Sequence, residues 1–196
     1  MPESIRSFIA IELPDEAREL LAAVQEALRR GPGGAWVRWV EPQGIHLTLK
    51  FLGNVPSHQI AAVAAAAEQA AAGLPPFLLA TGELEVFPRP AAPRVIWLGV
   101  GGQVAPLGVL QQRVEQALVP LGFAAEARPF TPHLTLGRVR EGAPAEMLRA
   151  LGQVVAQHRP PKTVSVKVLA LTLMRSHLTP AGAVYTPLTK IQLSGN

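Results

Sequence analysis

The tetrapeptide His-Leu-Thr-Leu occurs twice in this chain, at 46–49 and again at 133–136. A shuffled chain of the same composition would hold about 0.004 copies of it, so two copies are not coincidence. The 87 residues that separate the two histidines (133 − 46) are too many for a solenoid repeat, whose period runs from about 20 to 50 residues. The spacing fits two similar halves that face one another. A paired site follows from that arrangement.

Both copies sit in strand-like runs, "HLTLKFL" and "HLTLGRV". Successive side chains of a strand point to opposite faces, so His46 and Thr48 share one face while Leu47 and Leu49 take the other. His133 and Thr135 stand in the same relation to Leu134 and Leu136. The leucines can pack beneath helices while the polar pair faces a cleft. Two such strands related by a pseudo-twofold axis would gather two imidazoles and two hydroxyls in one volume, shaped for a phosphate. Opening a cyclic phosphodiester requires a base to take a proton from water and an acid to protonate the departing oxygen. Imidazole titrates near neutrality and suits either task. Threonine hydroxyls can donate to non-bridging oxygens, and a guanidinium can counter developing charge. Arg138 follows His133 by five residues, an odd step that strict alternation aims away from the site. Only a bulge, a twist or the strand end would bring it to the phosphate.

Helices and strands alternate along the rest of the chain. Helices are expected over 15–30, with Asp15 as cap, over 58–73 with Ser57 as cap, over 106–122 and over 144–158. Strands are expected over 5–13, 36–41, 46–52, 77–87, 94–100, 133–139, 163–174 and 183–188, with exposed loops at 87–94 and 178–183. The fold class is α+β, in one domain spanning 1–196.

The formal charge of +4 is carried by 14 Arg and 4 Lys, a balance that suits a polyanionic partner because guanidinium binds phosphate through a planar fork. The chain has no cysteine, which excludes disulfides and thiolate metal sites. Two histidines without an adjacent acidic ligand, and no His-Glu-x-x-His pattern, give too few donors for a metal, so none is expected. No secretory signal and no run of 18 apolar residues is present, so the chain reads as soluble and cytoplasmic, without a membrane partner. His58, His158 and His177 lack a polar partner at strand spacing and read as structural or surface residues. Phe8, Trp36, Trp39, Phe87 and Tyr185 read as core, with Phe130 the best placed to stack a terminal base. Arg94, Arg128 and Arg175 read as solvated surface.

The paired motifs resemble those of the two-histidine phosphoesterase superfamily. The segments "RSFIAIELP", "WVEPQGIHLTLKFLG", "PRVIWLGV", "RPFTPHLTLGRVR" and "LTLMRSHLTPAGAVYTPL" look like its bacterial and archaeal RNA 2',3'-cyclic phosphodiesterase branch, often named 2'-5' RNA ligase. Gly137 stands where relatives often carry alanine. The resemblance implies a bilobal α+β unit, with two antiparallel sheets facing a central cleft and helices outside. It implies His46 as proton donor and His133 as proton acceptor, with Thr48 and Thr135 on the phosphate; Arg138 stays a lower-ranked phosphate candidate from its position alone. The implied reaction is hydrolysis of an RNA terminal 2',3'-cyclic phosphate to a 2'-phosphomonoester, without metal or cofactor. The implied partner is an RNA end or tRNA fragment; a monomer with no obligate protein partner is the default expectation. Joining or cleavage of 2'-5' linkages, and RNA-end binding without turnover, are the alternatives.

Overall fold

The computed structural model describes residues 3–179 and 182–195. β1 (Ser4–Glu12) leads into α1 (Asp15–Arg30), whose buried stripe of Leu20, Leu21, Val24 and Leu28 follows the helical period. Asp15 is the first helical residue and not the cap; Pro14 holds the capping position, and Asp15 instead pairs with Arg18 at 3.0 Å. A short β2 (Val37–Trp39) precedes β3 (His46–Pro56), which begins at the first motif. α2 (Ile60–Ala71), β4 (Phe77–Phe87), β5 (Val95–Gly102) and α3 (Val104–Leu118) follow. Ser57 makes no capping bond; it opens a single 3-10 turn ahead of α2. β6 (His133–Val139) begins at the second motif and is followed by α4 (Ala145–Gln157).

Two expectations for the C-terminal region are corrected. The run 163–174 is two strands, β7 (Ser165–Val168) and β8 (Ala170–Thr179), which lie toward opposite ends of the sheet. Of the loop expected over 178–183, residues 178–179 and 182–183 are strand, β9 (Gly182–Gln192) pairing back on β8 as far as Thr179 and Gly182, while 180–181 lie outside the described residues.

The strands form one antiparallel sheet in the order β7-β4-β5-β6-β3-β1-β8-β9, with β2 also pairing β6. The two expected sheets are therefore the halves of a single sheet, joined where Leu47 pairs with Leu134. Past that seam β3 and β6 part, and β2 takes the place beside β6 through Val37–Val139, Arg38–Arg138 and Trp39–Gly137. A pseudo-twofold axis through the seam relates β3 to β6, β1 to β5, β8 to β4 and β9 to β7. In chain order, β1-α1-β3-α2-β4 repeats as β5-α3-β6-α4-β8, so each half sends its last strand into the lobe of the other.

Helices cover one face of the sheet. Leu47, Leu49, Leu134 and Leu136 join apolar residues of all four helices there in one continuous core. Removing that surface from water is the main favourable term of the fold. Among the described residues no helix is long and apolar enough to cross a membrane.

Candidate active site

Each motif strand breaks its alternation immediately after the threonine. Ala10 pairs with Thr48 and Ile9 with Lys50, which leaves Leu49 as an extra residue; Trp97 pairs with Thr135 and Ile96 with Gly137, which leaves Leu136 extra. A bulge of one residue inverts the facing of everything beyond it. Lys50 and Gly137 consequently turn into the protein, and Phe51 and Arg138 turn out onto the face of the histidines and threonines. Arg138 thus reaches the site face by the bulge that strict alternation lacked. Gly137 has no room for a side chain, since an added Cβ would sit 2.5 Å from Val37 Cγ1.

Polar groups from two helices hold these irregular positions from behind. Gln25 of α1 donates to the carbonyls of Leu136 at 2.9 Å and Val40 at 2.7 Å. Lys50 pairs with Glu115 of α3 and donates to the Ala124 carbonyl at 2.8 Å. The Glu115 carboxylate also accepts from the Glu126 backbone N–H at 3.1 Å, so the segment leading to the second motif is tied to the first motif strand. These buried polar groups are paired, as the low-dielectric interior requires.

The antiparallel match of Leu47 with Leu134 sets His46 across from Thr135 and Thr48 across from His133. Each histidine is fixed in the same way. His46 Nδ1–H donates to the Gly44 carbonyl at 2.8 Å, and His133 Nδ1–H to the Thr131 carbonyl at 2.7 Å. A carbonyl can only accept, so Nδ1 carries the hydrogen and Nε2 is the basic nitrogen of each neutral ring. Aromatic rings set both imidazole planes. Phe8 stacks on His46 at 4.5 Å with Tyr185 edge-on at 4.9 Å, while Phe87 and Trp97 meet His133 edge-on at 5.6 and 5.7 Å.

Beyond these fixtures the symmetry fails. Glu12 is the cross-strand neighbour of His46, whereas the neighbour of His133 is Gly99. The Glu12 carboxylate is held by Thr172 Oγ1, which donates to it at 2.9 Å. Burial pulls the His46 pKa below its ordinary value, opposed by its bond to the Gly44 carbonyl and by the Glu12 charge. Burial also raises the Tyr185 pKa, against the pull of Arg138 and Arg6. A cleft of about 280 Å³ opens beside His46, lined in part by Glu12, Arg18, Glu41, Gln43 and Tyr185.

His46, Thr48, His133, Thr135 and Arg138 are brought onto one face. Phe130 packs half-buried against the main core. His58 and His177 are exposed away from the motifs, and His158 ends α4. Arg94, Arg128 and Arg175 are exposed. Glu12, Arg38 and Phe51 lie on the site face and escaped sequence reasoning, Phe51 with 68% of its surface exposed. Their placement depends on strand pairings that no local pattern announces. Among the described residues, no three His, Asp or Glu side chains gather as a metal site would require.

Two stretches of the chain, 11–97 and 100–185, each match the family described as LigT like Phosphoesterase. The chain is 32% identical over 189 residues to the RNA 2',3'-cyclic phosphodiesterase of Methanothermobacter thermautotrophicus, covering 96% of this chain and 99% of that one. Its fold is similar to the crystal structure of TT0787 of Thermus thermophilus, with a TM-score of 0.76, 30% identity, and coverage of 97% and 98%. It is equally similar to E. coli LigT complexed with 3'-AMP, with a TM-score of 0.76, 29% identity, and coverage of 98% and 99%. The two matched stretches each contain one motif strand, and the chain belongs to the LigT-like phosphoesterase family and is a phosphoesterase.

Proposed function

We propose that this protein hydrolyses the 2',3'-cyclic phosphate at the end of an RNA to a 2'-phosphomonoester without a metal. His133 takes a proton from the attacking water as its oxygen bonds to phosphorus, the bond from phosphorus to the 3'-oxygen breaks, and His46 gives that oxygen its proton. Thr48 and Thr135 donate to the non-bridging oxygens, and the positive charge of Arg138 on the same face favours the anion from beyond Thr135. The observation that carries this reading is the pair of identically tethered imidazoles, with no hydrogen bond to either Nε2 among the described residues, on strands that meet at the pseudo-twofold seam. The name of the Methanothermobacter relative supplies the substrate class. The test is turnover of a short RNA with a 2',3'-cyclic phosphate end in EDTA, with the product identified by phosphorus NMR. A 2'-phosphate supports the reading; binding of that RNA without turnover refutes it.

Glu12 makes the part played by His46 testable. kcat/KM reports the free enzyme, so its pH profile is expected to be bell-shaped, with one limb for each titrating imidazole. The Glu12 carboxylate favours imidazolium, so Glu12→Gln lowers the His46 pKa further. The limb that reports His46 is expected to move to lower pH while the other stays. A profile in which neither limb moves would remove His46 from the titrating pair.

A further inference from the structure

We infer that Arg38 and Arg138 form a second phosphate subsite, which takes the internucleotide phosphate immediately 5' of the terminal nucleotide. The inference rests on the reaction proposed above. It adds that the site is built for an RNA end in preference to a free cyclic nucleotide.

Arg38 of β2 and Arg138 of β6 are direct cross-strand partners, and both are exposed. Like charges directly opposite one another destabilise a sheet. Nothing in the described residues offsets this repulsion, because neither guanidinium forms an ion pair with a carboxylate there. An anion between them would. Because Arg138 shares the face of Thr135 through the Leu136 bulge, its partner Arg38 shares that face too.

Position identifies the anion. Antiparallel running of β3 and β6 places Arg138 past Thr135 at the His46 end of the site. That placement agrees with the pull of Arg138 on Tyr185, whose ring lies against His46. Two to three residue steps of about 3.3 Å separate the pair from the motif threonine, which is the scale of one nucleotide. The ribose whose 3'-oxygen departs toward His46 lies at this same end, and its 5' side continues outward over the arginines. A planar guanidinium fork matches a phosphodiester there, and two of them make the contact bidentate and strongly salt-dependent.

The experiment compares kcat/KM for a trinucleotide RNA ending in a 2',3'-cyclic phosphate with that for the nucleoside 2',3'-cyclic phosphate of the same terminal base. Wild type is expected to prefer the RNA. In Arg38→Gln the ratio of the two is expected to fall about three- to tenfold, mainly through KM. The slope of log kcat/KM against log salt for the RNA should flatten by about 0.7, the loss of one phosphate contact to a single strand. Arg38→Lys keeps the charge and should retain most of the slope. An unchanged ratio in Arg38→Gln, an equal loss on both substrates, or no wild-type preference for RNA would overturn the subsite. Failure of the underlying reaction looks different, because wild type would then turn over neither substrate.

Discussion

His133→Ala is expected to lower kcat/KM on a 2',3'-cyclic phosphate end by about 10³- to 10⁴-fold, and His46→Ala by a similar factor. In the proposed mechanism each variant removes a group that moves a proton in the transition state, so kcat is expected to fall with kcat/KM while substrate binding through Thr48, Thr135 and the arginines persists. The double variant should be little worse than either single one, because one missing proton transfer already disables the concerted step. Neither imidazole belongs to the apolar core, and both are half-buried on the open face. Both substitutions should therefore leave the protein folded, with a modest loss where His46 stacks on Phe8. Steady-state rates with circular dichroism as a folding control decide the matter. A single variant that keeps activity within about tenfold of wild type would remove its histidine from the mechanism.

Lys50→Met carries the largest expected cost in stability, about 3 to 5 kcal/mol. The Lys50 side chain is 5% exposed and that of Glu115 11%, so deleting the ammonium strands a carboxylate away from water. In a chain of this length a loss of that size lowers Tm by about 10 °C. The reason for the cost gives an internal check. Lys50→Met with Glu115→Leu removes both charges and should be more stable than the single variant, held back mainly by the unpaired Glu126 N–H. Urea unfolding with a common m-value measures both. A single variant within about 1 kcal/mol of wild type, or a double variant less stable than the single, would mean the pair is not what secures β3 to α3.

Much of the architecture is readable from the chain. The duplicated tetrapeptide announces two halves, and the amphipathic stripes mark four helices with small errors at their ends. Periodicity of two aims His46, Thr48, His133 and Thr135 together. It fails beyond Thr48 and Thr135 because a bulge is a property of two strands, and the partners of β3 and β6 lie far off in sequence. Arg138 is therefore misaimed by counting, and Phe51 overlooked for the same reason. Arg38 is hidden more deeply, because its partner lies 100 residues away on β6 (138 − 38). The break at Leu169 follows a similar logic. β7 and β8 are one apolar run in the sequence, but β7 pairs with β4 at one end of the sheet and β8 with β1 and β9 toward the other.

The exchange of last strands between the halves makes the two motif-bearing units interdependent. β4 leaves the first unit to pair with β5 and β7, and β8 leaves the second to lie between β1 and β9. A nick in the connection between β4 and β5 would separate the covalent chain without freeing either lobe, since each fragment would still hold a strand inside the other's sheet. Neither unit can bury its own apolar face alone. A single motif-bearing half would be an exposed sheet edge in search of a partner, and the face that gathers both motifs comes into existence only with the whole.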